Sequence, residues 1–480
     1  MLFRSMPELH DQIPTREKVL IIGAGPAGLA AAASLTALEV PFDIVDRADH
    51  VGGIWDPERE DSPVWPAMEM ISSREQTQYE DLLQPVSFPE FLSPAHMAKY
   101  LRAYASRHGI TEHFRPRTAV RSARPFEEGV WEVELSTGEI GIYRAVISAH
   151  GISSRPHRPG WAADVPDPVR VLHSSEWTGA DGLEGKRVLV VGSGQSAADI
   201  AVDAARRALE VRWSMRTGHW IVPRRIAGMP GDVAASREPA LLGGLNARIA
   251  ETVIRRTVGD PVEAGLPRPA LPLLEDRVIV SDDLLQRVRE GRITPAGAVQ
   301  GVDAEGTVSL ARSEGLPGTD AYSADVIVLA TGYETGADHL PEDLVPRTAS
   351  GEADLFLGAF ARGRDDLVIL GQQRVSGGVL PILVEQADIA AYMMAATRDG
   401  GSSPALEQFR RVRGGAESAI PARPAPASEG LRGRLETVVG TRRVTARELP
   451  SGQGASEGLI PAVDRETQLA RLRSVRSLFD

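Results

Sequence analysis

Cysteine is absent from the 480-residue chain, and two other residue types are nearly absent. Without cysteine the protein has no disulfide, no thiolate ligand for a metal and no cysteine nucleophile, and it cannot pass electrons to a redox-active disulfide. Asparagine occurs once, as Asn246. Lysine occurs three times, as Lys18, Lys99 and Lys186, so arginine supplies almost all of the 53 basic residues. This bias is typical of a GC-rich bacterial genome.

An excess of basic charge is also missing, since the formal net charge is −12. Such a chain has no electrostatic attraction to nucleic acid or to an anionic membrane surface, so neither is an expected partner. The first residues include Glu8 and Asp11 and lack an apolar core, which argues against a signal peptide and makes the cytoplasm the expected location. The ten histidines are scattered, and no metal site is expected.

A glycine-rich turn near the start dominates what the sequence does contain. The apolar run Val19–Ile22 predicts a buried parallel strand, and Gly23, Gly25 and Gly28 follow in the spacing G-x-G-x-x-G. An alanine-rich helix and a second strand ending at Asp46 come next. Such a unit binds a dinucleotide, because the glycines let the pyrophosphate approach the helix N-terminus and the acid accepts hydrogen bonds from a ribose. The residues predicted to bind are Gly23, Gly25, Pro26, Ala27, Gly28, Asp46 and Arg47.

The same stretch has an alternative interpretation. Residues 19–38 carry no charge, and twenty uncharged residues are long enough to span a membrane. The three glycines and Pro26 near the start favour instead a strand, a turn and a helix in the protein core.

A second unit of the same kind begins at Lys186. Residues 187–191 predict a strand, and the spacing G-x-G-x-x-A then opens a helix that extends to about residue 209, with another strand over residues 211–216. The residues predicted to bind its nucleotide are Gly192, Ser193, Gly194, Gln195, Ser196 and Ala197.

The second unit differs from the first at the position of the acid. The counterpart of Asp46 falls at Met215 or Arg216, so no carboxylate is present there. An acid repels a 2′-phosphate, whereas a guanidinium pairs with one, so Arg216 favours NADP(H) over NAD(H). The alternative is that Arg216 is a solvated arginine without a ligand.

Further patterns indicate an α/β fold with two Rossmann-like dinucleotide-binding domains, the second inserted into a discontinuous first. The strand predicted over residues 324–333 ends in a glycine turn and is expected to return the chain to the first sheet. The other expected strands are residues 131–135, 145–151 and 367–371, and the other expected helices are residues 94–108 and 381–396.

The predicted domain boundaries follow from these elements. The first domain comprises residues 1–159 and 323–396, and the second comprises residues 160–322 with a Pro/Gly-rich insert at about 223–275. A helix at residues 240–257 of the insert either shapes a substrate pocket or packs on the surface. Residues 397–433 are of low complexity and predict a loose linker. In the tail, residues 434–480, an amphipathic helix over 465–479 is expected to dock on the body.

Together with the two turns and the lack of cysteine, two short motifs make the chain resemble the flavin-containing monooxygenases from about residue 17 to 396. They are Gly-Gly-Ile-Trp, ending at Trp55, and Leu-Ala-Thr-Gly-Tyr, ending at Tyr333. The first motif alone also fits a turn with a core tryptophan. The resemblance implies a glutathione-reductase-like FAD/NAD(P) fold with FAD at the first turn and NADPH at the second. It adds Gly53, Ile54, Trp55, Thr331 and Gly332 to the expected FAD site and His173 to the NADP site.

The branch of the family is less sharply indicated. The segment from His173 to Trp177 is similar to the second half of the family fingerprint, but Asp167 and Val169 stand where Phe and Gly are expected. Trp177 is more typical of the Baeyer–Villiger branch, yet the segment after Trp55 lacks the Gly-Ala-Arg-Cys-Asp sequence of that branch.

The activity implied by the resemblance is monooxygenation by an NADPH-dependent flavoprotein. NADPH would reduce FAD, O2 would add to give a flavin C4a-hydroperoxide, and one oxygen atom would pass to an amine nitrogen or a thioether of a small molecule. The alternatives are Baeyer–Villiger oxygenation of a ketone, an NADPH flavin reductase or oxidase that transfers no oxygen, and a non-catalytic flavin-binding protein. A homodimer is compatible with all of them.

One departure concerns the flavin side of the site. Many family members have an asparagine in the loop where this chain reads Met70-Ile71-Ser72. Ser72, Gln76 or Gln78 is the expected substitute hydrogen-bonding group. If none of them replaces the amide, the protein is expected to release H2O2 and act partly as an NADPH oxidase.

Overall fold

The structure, a computed structural model, describes most of the chain in eleven segments. These segments are residues 15–127, 129–236, 251–269, 271–273, 278–312, 321–334, 336–348, 353–373, 377–398, 401–415 and 465–479. The predicted α/β class is confirmed, because two separate parallel sheets carry the helices of these segments.

The strands are short, as is usual for buried parallel sheets. In chain order they are β1 Val19–Ile22, β2 Phe42–Val45, β3 Phe114–Arg115, β4 Val120–Phe126, β5 Val130–Leu135, β6 Ile140–Tyr143, β7 Ala145–Ser148, β8 Arg170–His173, β9 Arg187–Val191, β10 Glu210–Ser214, β11 Ile221–Val222, β12 Arg225–Ile226, β13 Met229–Pro230, β14 Ile279–Val280, β15 Ile293–Ala296, β16 Val299–Val302, β17 Thr307–Leu310, β18 Ala321–Ser323, β19 Val326–Leu329, β20 Leu355–Phe356, β21 Phe360–Ala361 and β22 Leu367–Ile369.

The helices pack against the sheets or against one another. In chain order they are α1 Pro26–Ala37, α2 Pro94–Arg107, α3 Gln195–Ala204, α4 Gly231–Ser236, α5 at residues 251–257, α6 Leu284–Arg289, α7 Leu380–Ala396, α8 Pro404–Arg413 and α9 Arg465–Arg476. None of the described helices combines the length and the apolar character that crossing a membrane requires.

The first sheet has the strand order β20-β21-β22-β7-β1-β2-β3, parallel from β22 to β3. One of its inner strands, β1, is wholly buried, which explains the continuous apolar run that begins at Val19. The uncharged helix α1 follows β1 and packs between the sheet and α7 in the same hydrophobic core. The interpretation of residues 19–38 as protein core is therefore confirmed.

The second sheet has the order β15-β10-β9-β19-β8, with all neighbouring pairs parallel. All its strands come from residues 170–329, between the two parts of the first sheet. The predicted insertion of one dinucleotide-binding domain into another is thus confirmed. A three-stranded antiparallel sheet accompanies each domain, formed by β4, β5 and β6 in the first and by β16, β17 and β18 in the second.

One predicted connection is wrong. The strand expected over residues 324–333 does not return the chain to the first sheet, because β19 pairs with β8 and β9 of the second sheet. The predicted boundary before residue 323 therefore cuts off the last strand of the second sheet. The return comes later, through residues 330–334 and 336–340, and the first of these stretches runs beside the outgoing segment. Pro156 there forms a bridge with Tyr333, and Glu334 donates its backbone N–H to the Arg155 carbonyl at 2.9 Å.

The loose linker predicted for residues 397–433 is also wrong in part, because α8 lies within it. Ser403 caps the helix by accepting the backbone N–H of Leu406 at 3.1 Å. Leu406, Phe409 and Val412 recur at helical spacing and are fully buried in the first core. The arginine- and glycine-rich composition around them hides this apolar stripe. Residues 416–433 lie outside the described residues.

Several other predicted elements are confirmed. Helix α2 begins after Ser93 and buries Met97, Tyr100, Leu101 and Tyr104 on one face. The expected helix at the end of the chain forms as α9 and packs against α7. Of the helix predicted at residues 240–257, the described residues 251–257 are helical, and residues 240–250 lie outside the described segments.

Candidate active site

The first glycine turn lies at the carboxyl end of β1 and leaves no space for side chains. Gly23 has a φ of +104°, and a Cβ atom on it would lie 2.4 Å from the Ala149 carbonyl oxygen. A Cβ on Gly28 would lie 1.8 Å from the Gly23 carbonyl oxygen. Glycine is therefore required at both positions. Because no side chain covers the turn, the N-terminus of α1 stays accessible to a ligand.

The Gly-Gly-Ile-Trp motif packs directly on this turn. Gly52 donates its backbone N–H to the Ala24 carbonyl at 2.9 Å, and a Cβ on Gly53 would lie 2.8 Å from the Cα of Gly25. Gly53–Trp55 form one turn of 3₁₀ helix, with the Ile54 and Trp55 side chains half-buried. The glycine turn at residues 23–28 and the motif at residues 52–55 thus form one narrow cleft, called here the FAD cradle, which any added side chain would fill. This geometry fits the diphosphate and the ring system of FAD.

Asp46 lies at the end of β2, where the sequence predicts a ribose-binding acid. Its carboxylate accepts the backbone N–H of Ala24 at 2.7 Å and that of Ala48 at 2.9 Å. An ionised carboxylate can accept about four hydrogen bonds, so two of its lone-pair sites stay available to a ribose diol. Arg47, the next residue, is exposed and pairs with Asp61 at 2.5 Å.

Pro26 and Ala27 form the first turn of α1. Pro26 occupies a position where no backbone N–H is needed, and its carbonyl accepts the Tyr79 hydroxyl at 2.8 Å. Ala27 is buried against the loop that follows β22, since a Cβ on Gly371 would lie 3.2 Å from the Ala27 Cβ. The turn is therefore held from both sides by residues distant in sequence.

The second turn repeats the geometry of the first. Gly192 has a φ of +138°, and a Cβ on it would lie 2.2 Å from the Ala330 carbonyl oxygen. Ala197 is fully buried where α3 meets the sheet, as the third small residue of the motif should be. A Cβ on Gly194 would have no protein atom within 4 Å, so the space in front of this residue is open.

The polar residues of the second turn differ in their surroundings. The Gln195 amide donates to the Val280 carbonyl at 2.9 Å and accepts the Val280 N–H at 2.9 Å, so it joins α3 to β14. Ser193 lies near the His219 ring at 3.4 Å, and Ser196 is exposed. Ser193 and Ser196 are thus better placed than Gln195 to meet a ligand.

Arg216 lies two residues beyond the end of β10, and that strand is joined to the second turn. The Gly192 backbone N–H donates to the Ser214 carbonyl at 3.0 Å. Met215 turns into the second core, whereas Arg216 is exposed. The exposed Arg216 guanidinium therefore lies at the edge of the second sheet, where the sequence predicts that a 2′-phosphate binds.

Thr331, Gly332 and His173 meet where the second sheet joins the return segment. Thr331 donates its hydroxyl to the His157 carbonyl, and Gly332 accepts the His157 backbone N–H at 3.0 Å. The buried His173 ring donates from Nε2 to the Gly332 carbonyl at 2.9 Å and accepts the Ser175 N–H at Nδ1. Burial lowers the pKa of His173, which suits a neutral structural histidine. These residues lie beside the second turn, and their contact with either cofactor stays a prediction.

A histidine cluster that sequence reasoning missed lies at the end of β7. The buried Ser148 hydroxyl contacts His150 Nδ1 at 2.7 Å and His339 Nε2 at 2.8 Å. His150 belongs to the segment that leaves the first domain, and His339 belongs to the segment that returns. Burial lowers the pKa of both rings, to about 4 for His339. The two segments are thus tied together by neutral imidazoles.

This cluster predicts a pH dependence of stability. The unfolded His339 takes up a proton near pH 6.5, whereas the folded one does so only near pH 4. The free energy of unfolding should therefore fall as the pH is lowered from about 6.5 to about 4, by about 3 kcal/mol. Urea unfolding followed over this range measures the fall.

Since other groups titrate in the same range, the matched variant His339→Gln isolates the effect of one ring. This variant should show a shallower pH dependence than the wild type. Equal slopes for the two proteins would contradict the assignment to His339.

The three residues expected near the flavin, Ser72, Gln76 and Gln78, have different contacts in the structure. The Ser72 hydroxyl bonds to the Thr77 hydroxyl at 2.7 Å, and the Gln78 side-chain oxygen accepts the Gln84 N–H at 2.9 Å. Gln76 reaches the start of α7, where a Cβ on Gly378 would lie 1.7 Å from the Gln76 carbonyl oxygen. Among the three, Gln76 is therefore the residue that lies against the start of α7.

A possible metal-binding group is better explained by ion pairing. His50, Asp56 and Glu58 lie close enough together to share a cation. Arg102, however, donates to Asp56 at 2.9 Å and to Glu58 at 3.1 Å. The guanidinium already supplies the positive charge that these carboxylates need.

Comparison with known proteins agrees with this geometry. The family described as Flavin-binding monooxygenase-like matches residues 16–405. The chain is 28% identical over 365 residues to indole-3-pyruvate monooxygenase YUCCA1 of Oryza sativa subsp. japonica, covering 72% of this chain and 84% of that protein. It is 27% identical over 393 residues to flavin-containing monooxygenase 1 of Oryctolagus cuniculus, covering 77% and 72%.

Solved structures share the fold at lower identity. OTEMO in complex with FAD and NADP superposes with a TM-score of 0.63 at 22% identity, covering 82% of this chain and 88% of that one. Cyclohexanone monooxygenase bound to ε-caprolactone gives a TM-score of 0.62 at 18% identity, covering 81% and 90%. The extent of the family match shows that the chain is an FAD- and NADPH-dependent flavoprotein monooxygenase and belongs to the Flavin-binding monooxygenase-like family.

Proposed function

We propose that the protein oxygenates a nitrogen or sulfur atom of a small molecule, with FAD at the first turn and NADPH at the second. The main support for this proposal is the pair of glycine turns. The first lies beside the carboxylate of Asp46, and the second lies beside the exposed Arg216. The relative named dimethylaniline monooxygenase [N-oxide-forming] 2 of Rattus norvegicus, 27% identical over 394 residues, supports nitrogen as a target.

The bound cofactors supply the redox chemistry, and the chain supplies binding and orientation. The N–H groups at the start of α1 bind the FAD diphosphate, and Asp46 accepts hydrogen bonds from its ribose. Gly53, Ile54 and Trp55 line the flavin. At the second turn Gly194, Ser193 and Ser196 meet the NADPH diphosphate, and Arg216 pairs with the 2′-phosphate.

Five residues expected near the flavin carry no charge, which favours a soft nucleophile as the target. Met70 and Ile71 are apolar, and Ser72, Gln76 and Gln78 are neutral. A soft nucleophile such as a tertiary amine or a thioether attacks an electrophilic oxygen without help from an acid or a base. These five uncharged side chains are therefore sufficient for this reaction, which needs no acid or base from them.

Incorporation of labelled oxygen tests the proposal. The purified protein, loaded with FAD and given NADPH and ¹⁸O₂, should place one labelled atom in N,N-dimethylaniline or methyl phenyl sulfide, read by mass spectrometry. A labelled ester from a cyclic ketone, with no labelled amine or sulfide, would instead assign the Baeyer–Villiger reaction. NADPH consumption that yields H2O2 and no labelled product would refute oxygen transfer.

The second candidate function is a side activity as an NADPH oxidase. It is favoured because polar side chains among residues 70–78 are already hydrogen-bonded to other protein groups. Ser72 and Gln78 are bonded within the loop, and Ile71, with 38% of its surface exposed, supplies no hydrogen bond from its side chain. We expect measurable H2O2 per NADPH consumed, and less of it in Ile71→Asn. The exposed Leu83 offers a matched control, because Leu83→Asn should leave the ratio unchanged.

A further inference from the structure

Helix α9 lies outside the family match yet packs onto the first domain. The match ends at residue 405, and α9 begins sixty residues later, at Arg465. Its apolar residues Leu469, Leu472 and Val475 are buried in the first core. Arg473 pairs with the buried Glu385 of α7 at 2.7 Å. The helix is therefore an integral part of this domain.

The first turn of α9 is fixed by a buried amide. Gln468 is 1% exposed and donates to the Leu357 carbonyl at 3.1 Å and to the Gln373 side-chain oxygen at 2.9 Å. Gln373 lies two residues after Gly371, which packs against Ala27 of the first nucleotide turn. The start of α9 is thus held near the FAD cradle by specific hydrogen bonds.

Arg465 extends from this fixed turn toward the flavin-side loop. Its guanidinium donates to the side-chain oxygen of Gln76, and its side chain is 15% exposed. Its Nε atom is enclosed and has no hydrogen-bond partner. The ion pair of Arg465 with the exposed Glu466 spans 4.0 Å and compensates little of the charge. A mostly buried cation with an unused donor is costly unless a ligand accepts from it.

The surroundings of Arg465 indicate which ligand it meets. A Cβ on Gly377, just before α7, would lie 3.7 Å from the Arg465 Cδ, and Gly378 contacts the Gln76 backbone. Tyr79, three residues beyond Gln76, donates its hydroxyl to Pro26 of the FAD turn. Arg465 and Gln76 therefore lie at the start of α7, and Gln76 is three residues from Tyr79, which contacts the start of α1.

We propose that Arg465 is a residue of the flavin site and that its guanidinium, held by Gln76, binds the polar edge of the flavin ring. Its positive charge stabilises the negative charge that the ring gains when hydride from NADPH reduces it. The inference rests on the proposed position of FAD at the first turn. It means that a helix beyond the family match completes the active site.

Arg465→Met tests the proposal through the flavin midpoint potential, measured by equilibration with a reference dye. Loss of the cation should weaken binding of reduced FAD about tenfold more than that of oxidised FAD, a fall of about 30 mV for a two-electron couple. Arg465→Lys keeps the charge and should restore part of the potential. An unchanged potential in Arg465→Met would overturn the proposal.

Arg473→Met is the matched control on the same helix. It removes the ion pair with Glu385 and leaves Gln76 untouched, so the potential should stay at the wild-type value. An equal fall in this variant would mean that Arg465 acts only by docking the helix, which would also overturn the proposal. Failure of the wild-type protein to bind FAD would refute the proposed function itself, and titration of flavin fluorescence distinguishes that outcome.

Discussion

Gly28→Ala should weaken FAD binding by up to about a hundredfold, because an added methyl group has no space at this position. The added carbon would lie 1.8 Å from the Gly23 carbonyl oxygen, and neither group can move without displacing β1 or α1. Overpacking typically costs about 1–3 kcal/mol, and the upper value corresponds to about a hundredfold in the dissociation constant if the turn shifts to relieve the clash. Titration of flavin fluorescence on the purified variant measures the loss.

The second turn supplies a matched control for this variant. Gly194→Ala meets no protein atom within 4 Å, and the backbone of Gly194 lies in the extended region. Gly194→Ala should therefore fold normally and retain FAD, while NADPH binding weakens because the methyl group stands where the diphosphate approaches. Retention of FAD by Gly28→Ala at wild-type affinity would contradict the assignment of the first turn.

Arg216→Ala should weaken NADPH binding by about ten- to a hundredfold, since a charge-assisted hydrogen bond contributes about 1.5–3 kcal/mol. NADH has no 2′-phosphate, so its binding should change little. Because Arg216 is exposed beyond the end of β10, its replacement should leave folding unchanged. Steady-state KM values for NADPH and NADH, with dissociation constants from equilibrium titration, measure the two effects separately.

Arg212, which lies within β10, is the matched control for Arg216. It pairs with Glu210 at 2.7 Å and lies over the Tyr322 ring, away from the turn. Arg212→Ala should affect the two cofactors equally. If Arg216→Ala also weakens the binding of NADPH and of NADH by the same factor, Arg216 does not bind the 2′-phosphate and is a solvated arginine.

Local patterns in the sequence were sufficient for the parts of the fold that depend on local physics. The glycine spacings predict both turns, because close contacts with Ala149 and Ala330 admit no side chain there. Helical spacing of apolar residues likewise predicts α2 and α9. The family resemblance then supplied the cofactors, which the comparisons support.

Features that depend on distant contacts could not be predicted in this way. The strand ending at Leu329 looks locally the same whichever sheet it joins, and only its pairing with β8 and β9 decides the question. Helix α8 has three apolar residues in a background typical of a linker. The contact of Arg465 with Gln76 joins residues almost four hundred positions apart, and no sequence period records it.

The two segments that connect the domains have a consequence for modularity. The outgoing and returning chains lie side by side, with Arg155 paired to Glu334 at 2.6 Å and Pro156 bridged to Tyr333. The NADPH-binding unit therefore enters and leaves its host through one narrow neck, as an inserted cassette does. Its two ends are close enough that one such unit can be exchanged for another without opening the host sheet, so this neck is the natural site for grafting a different coenzyme preference.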